Sequence, residues 1–494
     1  MRKTKIVEDN ITNEKVKEKI SGKNIVLVGL GPHAKRIYIK VFKKYNIIPK
    51  LIVDLDTEEK KIKEYLEEQN INTELYLIPA KTKDNEMLDN EVAEQLIRKI
   101  KELNVEYAII STEPKAHFAY LKLFLQNGIN VLSDKPITVV KDMHKLESIN
   151  KIKEQYEELM SIYEKKRNNT TCNIMCQRRF HKGYMYVQQL IKEIISKYNV
   201  PITYIDIYHC DGKWMMPHDY DIENHPYKYG YGKLFHSGYH FVDLLAEFIK
   251  LNKNLTEDKS ITKVDISSYK FDMMDDLTSI NRKDIMKLFK GQDIPDFYEN
   301  HIDKSKYENY GEKDVYSLMQ FKNNENKVIT TANINLLQNG FSRRAWIKTK
   351  DNTYKGNGRV RHEVLTIQMG PLLNIQVHSY QSKEIKDREN FEKEHECGGL
   401  EHFDIYVFRN SELIGGKTFD KIQLCELYKD IDKEKFNGYN ELSREEFVLN
   451  FLAGNLKTSD LSEHKLAMEL LYNICLSINK ETKGEKRVNI ENIM

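Results

Sequence analysis

The stretch KNIVLVGLGPHAKRIYIKVF, residues 23–42, decides the fold that we expect of this chain. Its first part, Ile25–Val28, is short and wholly apolar, which is typical of a strand buried in a parallel sheet. A glycine turn follows, and residues 34–42 then carry apolar side chains at helical spacing. A strand, a glycine turn and a helix in this order predict the first unit of a doubly wound α/β sheet.

The turn itself, GLGPHA at residues 29–34, matches the pattern G-x-G-x-x-A of dinucleotide-binding turns. The first glycine allows the tight turn, the second lets the backbone approach a pyrophosphate, and the alanine allows close packing of helix on strand. Asp54 ends the next apolar run, where a carboxylate binds an adenosine ribose and repels a 2′-phosphate. The alternative, ordinary loop glycines with a surface aspartate, fits this complete context less well. We therefore expect NAD rather than NADP, contacted by Gly29, Gly31, Pro32, His33, Ala34 and Asp54.

The alternation of apolar runs and helical spacing continues to about residue 145, and a different style of sequence follows. Short runs rich in β-branched and aromatic residues then predict a mainly antiparallel sheet. We expect an α/β protein with an N-terminal Rossmann doubly wound parallel sheet and a C-terminal α/β domain with a large, mostly antiparallel open sheet. The predicted parts are an N-terminal extension (1–22), an NAD-binding domain (23–145) and a substrate and oligomerisation domain (146–494) that includes an insertion (272–313) and a closing helix (463–479).

Composition excludes several classes of function. The 494 residues include 77 basic and 75 acidic ones, a net charge of +2, so nothing attracts the whole chain to nucleic acid or to a membrane surface. No apolar run is long enough to span a bilayer, and the N-terminus lacks the apolar core of a signal peptide. The six cysteines are scattered, which favours free thiols and a cytoplasmic protein.

Two further stretches carry candidate chemistry. SDKP, residues 133–136, follows an apolar run, so Lys135 is expected at the sheet edge where ligands bind. GYGKLFHSGYHFVDLL, residues 230–245, places His236 and His240 one helical turn apart. Taken alone, Lys135 would be a surface residue and both histidines would be core residues bonded to backbone. The His-x-x-x-His spacing can also bind zinc, but the glutamate of H-E-x-x-H hydrolases is missing, so we expect no metal.

Five segments occur in an order that resembles the Gfo/Idh/MocA family of NAD(P)-dependent oxidoreductases: GLGPHA, VDLD, STEPKAHFAYLKLFLQNGINVLSDKP, CQRRF and LFHSGYHFVDLL. They cover most of the first 250 residues, and the resemblance is looser afterwards. It implies hydride transfer between NAD and a hydroxyl or ketone of a sugar, cyclitol or related polyol. It also implies that the second domain joins copies of the chain into a homodimer or homotetramer.

The resemblance also assigns site residues. Lys135 falls on the family's catalytic lysine, in D-K-P rather than E-K-P, His240 falls on its catalytic histidine, and Asp243 falls on the acid three residues later. Further cofactor contacts are implied at Ser111, Thr112, Pro114, His117, Asp134 and Lys135. Substrate contacts are implied at Lys135, Arg179, His236, Tyr239 and His240.

His236 is a departure from the family, which usually has an aspartate four residues before the catalytic histidine. Imidazole donates, accepts and titrates near neutrality, but it holds no negative charge against Lys135. We expect His240 to act as general base while Lys135 and His236 orient the substrate hydroxyl. Two alternatives stay open: a non-catalytic NAD-binding sensor of a metabolite, and a redox-neutral enzyme with tightly bound NAD.

Several arginines stay ambiguous in the sequence. Arg178 and Arg179 lie in CQRRF, where the resemblance implies that one of them approaches cofactor or substrate, and structural ion pairing is an equally good interpretation. A later basic run contains Arg343, Arg344, Arg359, Arg361 and His362. If these side chains converge they can bind a phosphate or carboxylate, as in a nucleotide sugar. Arginines that keep an edge strand soluble are the commoner case, and the sequence favours that interpretation.

Overall fold

The computed structural model describes residues 18–223, 225–293, 304–347, 358–382, 402–428, 438–484 and 488–492. The predicted extension over 1–22 lies mostly outside these residues, as do Cys397 and part of the insertion over 272–313. The five cysteines that the structure describes are free thiols.

Six parallel strands form the first sheet, in the order β3-β2-β1-β4-β5-β6. Because the order reverses between β1 and β4, the carboxyl ends of these two strands border the crevice where doubly wound folds bind ligands. This sheet confirms the predicted Rossmann architecture. Its strands are β1 (Ile25–Val28), β2 (Leu51–Leu55), β3 (Glu74–Ile78), β4 (Tyr107–Ile110), β5 (Asn130–Ser133) and β6 (Cys172–Ile174).

Helices connect these strands. The segment after β1 is α-helical over Pro32–Ala34, π-helical over Lys35–Ile39 and α-helical again over Lys40–Lys44. Single π turns inside helices are frequent at functional sites. The longer helices of this part of the chain are Glu59–Glu68, Asn90–Glu102, His117–Gln126 and Leu146–Lys166.

Nine strands form the second sheet, in the order β14-β13-β12-β11-β7-β10-β9-β8-β15. β7 and β10 pair in parallel and the other described neighbours pair antiparallel, which confirms the mostly antiparallel open sheet. The strands are β7 (Tyr204–Cys210), β8 (Lys263–Phe271), β9 (Asp314–Lys322), β10 (Val328–Leu337), β11 (Val360–Met369), β12 (Leu373–Ser382), β13 (Asp404–Arg409), β14 (Phe419–Gln423) and β15 (Val488–Glu491).

Apolar helices cover one face of the second sheet. Leu365 of β11 lies opposite Ile207 of β7, and both are buried on this face. The covering helices are Lys182–Tyr198, Tyr239–Leu251 and Lys465–Thr482, the last of which is the predicted closing helix. Shorter helices occur at Met273–Ser279 and Arg282–Leu288 in the predicted insertion, and at Ser411–Ile414 and Leu424–Leu427.

One late helix, Tyr439–Leu452, belongs spatially to the first sheet. Its Phe447 and Phe451 share a core with Leu27 of β1 and Ile109 of β4, because the apolar side of the helix needs a partner surface. β6 also joins the first sheet although it follows residue 145. The structure therefore differs from a simple division at 145 and 146, and the predicted domain boundaries stay a prediction.

Among the residues that the structure describes, no helix combines the length and apolar character that crossing a bilayer requires.

Candidate active site

The glycine turn after β1 has the geometry that its sequence predicts. Gly29 adopts a positive φ of 87°, and a Cβ atom there would lie 2.6 Å from the carbonyl oxygen of Ser111. Only glycine fits such a position without displacing β4. A Cβ atom on Gly31 would meet nothing within 4 Å, so the backbone of this residue borders open space. A phosphate group can approach the turn there.

Asp54 holds the turn from β2. Its carboxylate accepts hydrogen bonds from the backbone N–H of Leu30 at 2.7 Å and of Leu55 at 2.8 Å. Burial raises the pKa of Asp54, while these two donors act in the opposite direction. A carboxylate oxygen accepts more than one hydrogen bond, so Asp54 retains acceptor capacity for ribose hydroxyls.

Asp134 ties the turn to the end of β5. Its carboxylate accepts hydrogen bonds from the Tyr38 hydroxyl at 2.6 Å and the Ser111 hydroxyl at 2.7 Å, and His33 Nε2 lies 3.6 Å away. Burial alone would raise the pKa of Asp134, but His33 and the two hydroxyls outweigh burial and hold the pKa below its usual range. The structure therefore joins three predicted cofactor residues, His33, Ser111 and Asp134, in one network.

His117 supports this edge of the sheet from beneath. Its Nδ1 lies 2.7 Å from the carbonyl oxygen of Pro136 and its Nε2 lies 3.3 Å from that of Thr112. The ring is fully buried, and burial lowers its pKa. The predicted cofactor residues Thr112 and Pro114 form the turn directly above it. Because both nitrogens of His117 contact backbone, its ring positions these loops and offers no free nitrogen to a ligand.

Lys135 reaches across to the helix of the second sheet. Its Nζ donates a hydrogen bond to the backbone carbonyl of His236. Burial lowers the pKa of Lys135 to about 8, although Asp134 acts in the opposite direction. The lysine and the His236–His240 turn thus lie together where the end of β5 meets the second part of the protein, and we call this region the cleft.

His236 lies in a π-helical turn, Leu234–Gly238, that precedes the helix Tyr239–Leu251. Its ring is surrounded by the rings of His225, Tyr227 and Tyr231, with centroids at 5.1, 5.0 and 5.7 Å. Neither ring nitrogen has a hydrogen-bond partner within the described part of the chain. Burial, followed by the charge of Lys135, holds the pKa of His236 well below its usual range, so the ring is neutral.

His240 faces a glutamine and two arginines. In the amide orientation that satisfies every neighbour, the Gln177 nitrogen donates to His240 Nε2 at 3.2 Å, and its oxygen accepts from Arg178 and Arg444. Burial, then the charges of Lys135 and Arg178, holds the pKa of His240 well below its usual range. His240 is therefore a neutral ring whose basic lone pair is on Nε2.

Arg179 and Tyr239 have structural partners. The Arg179 guanidinium binds Asp243 at 2.6 and 3.0 Å and Glu463 at 2.9 Å. The Tyr239 hydroxyl lies 3.1 Å from His464 Nδ1, and both side chains are buried. The structure does not bring these two predicted substrate residues to Lys135. Arg178, the neighbour of Arg179, lies beside His240 instead.

The only group of metal-ligand type within the described residues is Cys176, Asp243 and His464, whose donor atoms lie within 4.8 Å of one another. Both carboxylate oxygens of Asp243 already accept hydrogen bonds from Arg179. His464 bonds to Ser459 Oγ at 2.8 Å through its other nitrogen. These contacts make the group a buried hydrogen-bond network.

Sequence reasoning missed several residues at the cleft. Gln177 lies in a 3-10 turn, where no local pattern indicates its partner His240. Glu113 accepts a hydrogen bond from the Tyr231 hydroxyl at 2.6 Å, and burial raises its pKa to about 7. Arg361 was considered but not favoured. Only the pairing of distant strands brings Arg361 to the cleft.

Comparison with known proteins gives the first sheet an identity. The model of an oxidoreductase family with an NAD-binding Rossmann fold, Gfo/Idh/MocA, matches residues 23–164. Residues 23–164 belong to the Gfo/Idh/MocA oxidoreductase family. The resemblance that the glycine turn, the D-K-P segment and their order indicated is thereby confirmed for this segment, and so is its NAD-binding type.

Solved structures extend the similarity in fold beyond the Gfo/Idh/MocA domain. An inositol dehydrogenase homologue from Azotobacter vinelandii, complexed with NAD+, is 12% identical over 95% of this chain and 97% of its own, with a TM-score of 0.56. The complex of this homologue with NADH and myo-inositol is 11% identical over 96% of this chain and 98% of its own, with a TM-score of 0.55. An aldose–aldose oxidoreductase from Caulobacter crescentus, complexed with glycerol, is 12% identical over 95% of this chain and 99% of its own, with a TM-score of 0.54. No curated protein matches the chain.

Proposed function

We propose that the chain is an NAD-dependent oxidoreductase that interconverts a CH–OH group and a ketone on a polyol-type substrate. The observation that carries this proposal is the hydrogen bond from Lys135, at the end of β5, to the backbone of His236 in the other part of the protein. This contact, together with the effect of the Lys135 charge on the pKa of His240, supports a shared site for the ammonium group and the His240 ring. The similarity in fold to an inositol dehydrogenase homologue is consistent with it.

The residues of the turn fit NAD. The open space over Gly31 accommodates a pyrophosphate, and the remaining acceptor capacity of Asp54 suits the ribose hydroxyls. When bound, NAD supplies the acceptor for the hydride, and thus for the two electrons, that leave the substrate carbon. Gly29, Gly31 and Asp54 would bind it. The network around Asp134 would fix the turn against β5.

His240 takes the hydroxyl proton. Its pKa, which burial holds low, keeps Nε2 unprotonated at neutral pH, which is the state that a general base needs. A substrate hydroxyl at Nε2 replaces the hydrogen bond that Gln177 donates there. Loss of this proton together with the hydride converts CH–OH to C=O, so that atoms and electrons balance.

Lys135 stabilises the oxygen as its charge grows. An ammonium group donates hydrogen bonds to an alkoxide-like oxygen and favours it electrostatically in a site with little water. Its pKa of about 8 keeps the group mostly protonated at neutral pH. His236, neutral and without a partner for either nitrogen in the described chain, can donate to a second substrate hydroxyl.

The experiment follows NADH formation with a panel of polyols, in the full chain and in Lys135→Ala. We expect turnover in the unaltered protein, and near-complete loss of turnover in the variant with an unchanged dissociation constant for NAD. Arg98→Gln, on an exposed helix face, serves as matched control and should behave like the unaltered protein. Equal rates in Lys135→Ala and the control would reject the role of Lys135.

The alternative functions give different results in the same experiment. A metabolite sensor would bind NAD and raise its melting temperature with one polyol, but would form no NADH. A redox-neutral enzyme would purify with NAD attached and convert substrate without net NADH. Assembly into a homodimer or homotetramer also stays a prediction, which light scattering on the purified chain would test.

A further inference from the structure

We propose that the substrate carries an oxyanion, a carboxylate or a phosphate, that Arg361 and Lys213 bind in the cleft. This inference rests on the proposed function and names the substrate class for the same site. Its basis is a group of cations near the two histidines, including the half-buried Arg361 and Lys213, which no carboxylate of the described chain neutralises at hydrogen-bond distance.

The pairing of β11 with β7 fixes the position of Arg361. Its strand, β11, pairs with β7 so that Glu363 lies opposite His209, and Arg361 is two residues closer to the end of the strand on the same face. The guanidinium makes no hydrogen bond within the described residues. Its nearest carboxylate oxygen, on Glu363, is 3.9 Å away. That carboxylate already binds Arg178 at 2.6 Å and the Tyr184 hydroxyl at 3.1 Å, so it is shared rather than dedicated to Arg361.

Lys213 lies at the same corner of the sheet. It follows β7, and its backbone N–H donates to the carbonyl of Gln338 at 3.2 Å. The preceding residue, Gly212, accepts a hydrogen bond from the Val360 N–H at 3.3 Å, which brings the segment beside Arg361. The Lys213 ammonium has no hydrogen-bond or ion-pair partner within the described chain. Burial lowers its pKa to about 8.

A chain of contacts links Arg361 to His240. Arg361 neighbours Glu363, Glu363 binds Arg178, and Arg178 donates to the same Gln177 amide that contacts His240. The charge of Arg361 contributes to the low pKa of His240, and that of Lys213 to the low pKa of His236. The charged groups with the largest effects on these two pKa values are cationic. An anion between them would neutralise this excess.

The residue at position 236 strengthens the argument. The family pattern usually puts a carboxylate there, whereas this chain has a neutral histidine whose nitrogens are unpartnered. The chain therefore lacks one negative charge at a cleft that contains Lys135, Lys213 and Arg361. Cations that are partly removed from water and have no dedicated counter-ion favour a ligand that supplies the missing negative charge. A planar guanidinium recognises either a carboxylate or a phosphate.

The test compares matched ligands at constant ionic strength in NAD-saturated protein. Calorimetry measures the dissociation constants of two pairs of ligands. D-gluconate is compared with D-glucitol, which lacks the carboxylate, and D-glucose 6-phosphate is compared with D-glucose. We expect the acid of at least one pair to bind more tightly than its neutral partner. Arg361→Gln or Lys213→Gln should weaken the binding of that acid about tenfold. Arg361→Lys should recover part of the loss. Arg98→Gln should change nothing, and NAD binding reports that each variant is folded.

The outcomes separate this inference from the proposed function. Equal binding of acid and neutral partners, or equal loss of both in Arg361→Gln, overturns the anion site and leaves the oxidoreductase intact. Selective binding of the acid without NADH formation from that acid or from any polyol supports the anion site and overturns the oxidoreductase. If no ligand binds in any arm, the inference is also overturned. The pair that responds identifies the anion as carboxylate or phosphate.

Discussion

The protonation of Lys135 should control the rate of alcohol oxidation on the alkaline side. Its pKa of about 8 is far below that of an ordinary lysine because the group is buried. In the proposed function the ammonium form stabilises the substrate oxygen. A group that acts in its charged form and has a lowered pKa is active below that pKa and inactive above it. The expected kcat/KM is therefore constant near neutrality and falls above pH 8.

The size of the fall follows from the pKa. With a value of about 8, about 90% of Lys135 is protonated at about pH 7 and about 10% at about pH 9. The expected decrease in kcat/KM between these two conditions is about tenfold, and it steepens to about tenfold per pH unit beyond. The assay measures initial rates of NADH formation, since the overall equilibrium itself releases a proton.

Lys135→Arg is the matched control. A guanidinium stays protonated throughout this range, so the variant should show lower activity but no alkaline decrease. A rise of kcat/KM through pH 8 in the unaltered protein would show that the neutral amine acts as a base and would refute the reasoning. An alkaline decrease of equal size in Lys135→Arg would assign the titration to another group.

Three further changes test other parts of the structure. Asp54→Ala should weaken the binding of NAD and reduce the preference of the protein for NAD over NADP, as measured by the two dissociation constants. An unchanged ratio of these constants would contradict the assignment of Asp54 to the ribose. Arg179→Met should destabilise the fold by about 3 kcal/mol because it leaves the buried Asp243 carboxylate without its cation, and adding Asp243→Asn should recover part of the melting temperature. A loss confined to substrate binding would instead place Arg179 in the active site. His236→Asp puts a carboxylate beside Lys135 and should raise its pKa, so that the alkaline decrease moves upward; an unmoved decrease would show that residue 236 and Lys135 do not interact.

Much of the architecture could be predicted because its signals are local. The apolar run and glycine turn at residues 25–31 specify a buried strand and the turn after it, and the structure contains both. Among the runs rich in β-branched and aromatic residues that predicted the second sheet, those at 263–271 and 328–337 are strands with the same bounds in the structure. β11, whose sequence is VRHEVLTIQM, was not predicted, because its first residues were interpreted as part of a basic run.

Lys135 was singled out because it follows an apolar run, and His240 because it falls on the family's catalytic histidine. The structure brings them to one region of the protein, and their catalytic roles stay predictions. Arg178 and Arg179 are adjacent and chemically identical, and their different partners depend on a 3-10 turn and on distant carboxylates. Lys213 and Arg361 come together through the pairing of β7 with β11, which joins residues about 150 positions apart. No local periodicity encodes such pairing.

The return of the helix Tyr439–Leu452 to the first sheet has a practical consequence. A recombinant fragment that stopped shortly after β6 would expose the apolar surface that Phe447 and Phe451 cover. Such a fragment would aggregate, although it contains the whole nucleotide-binding motif. Supplying the missing helix as a separate peptide, or joining it to the fragment by a short linker, should restore a dispersed protein that still takes up NAD.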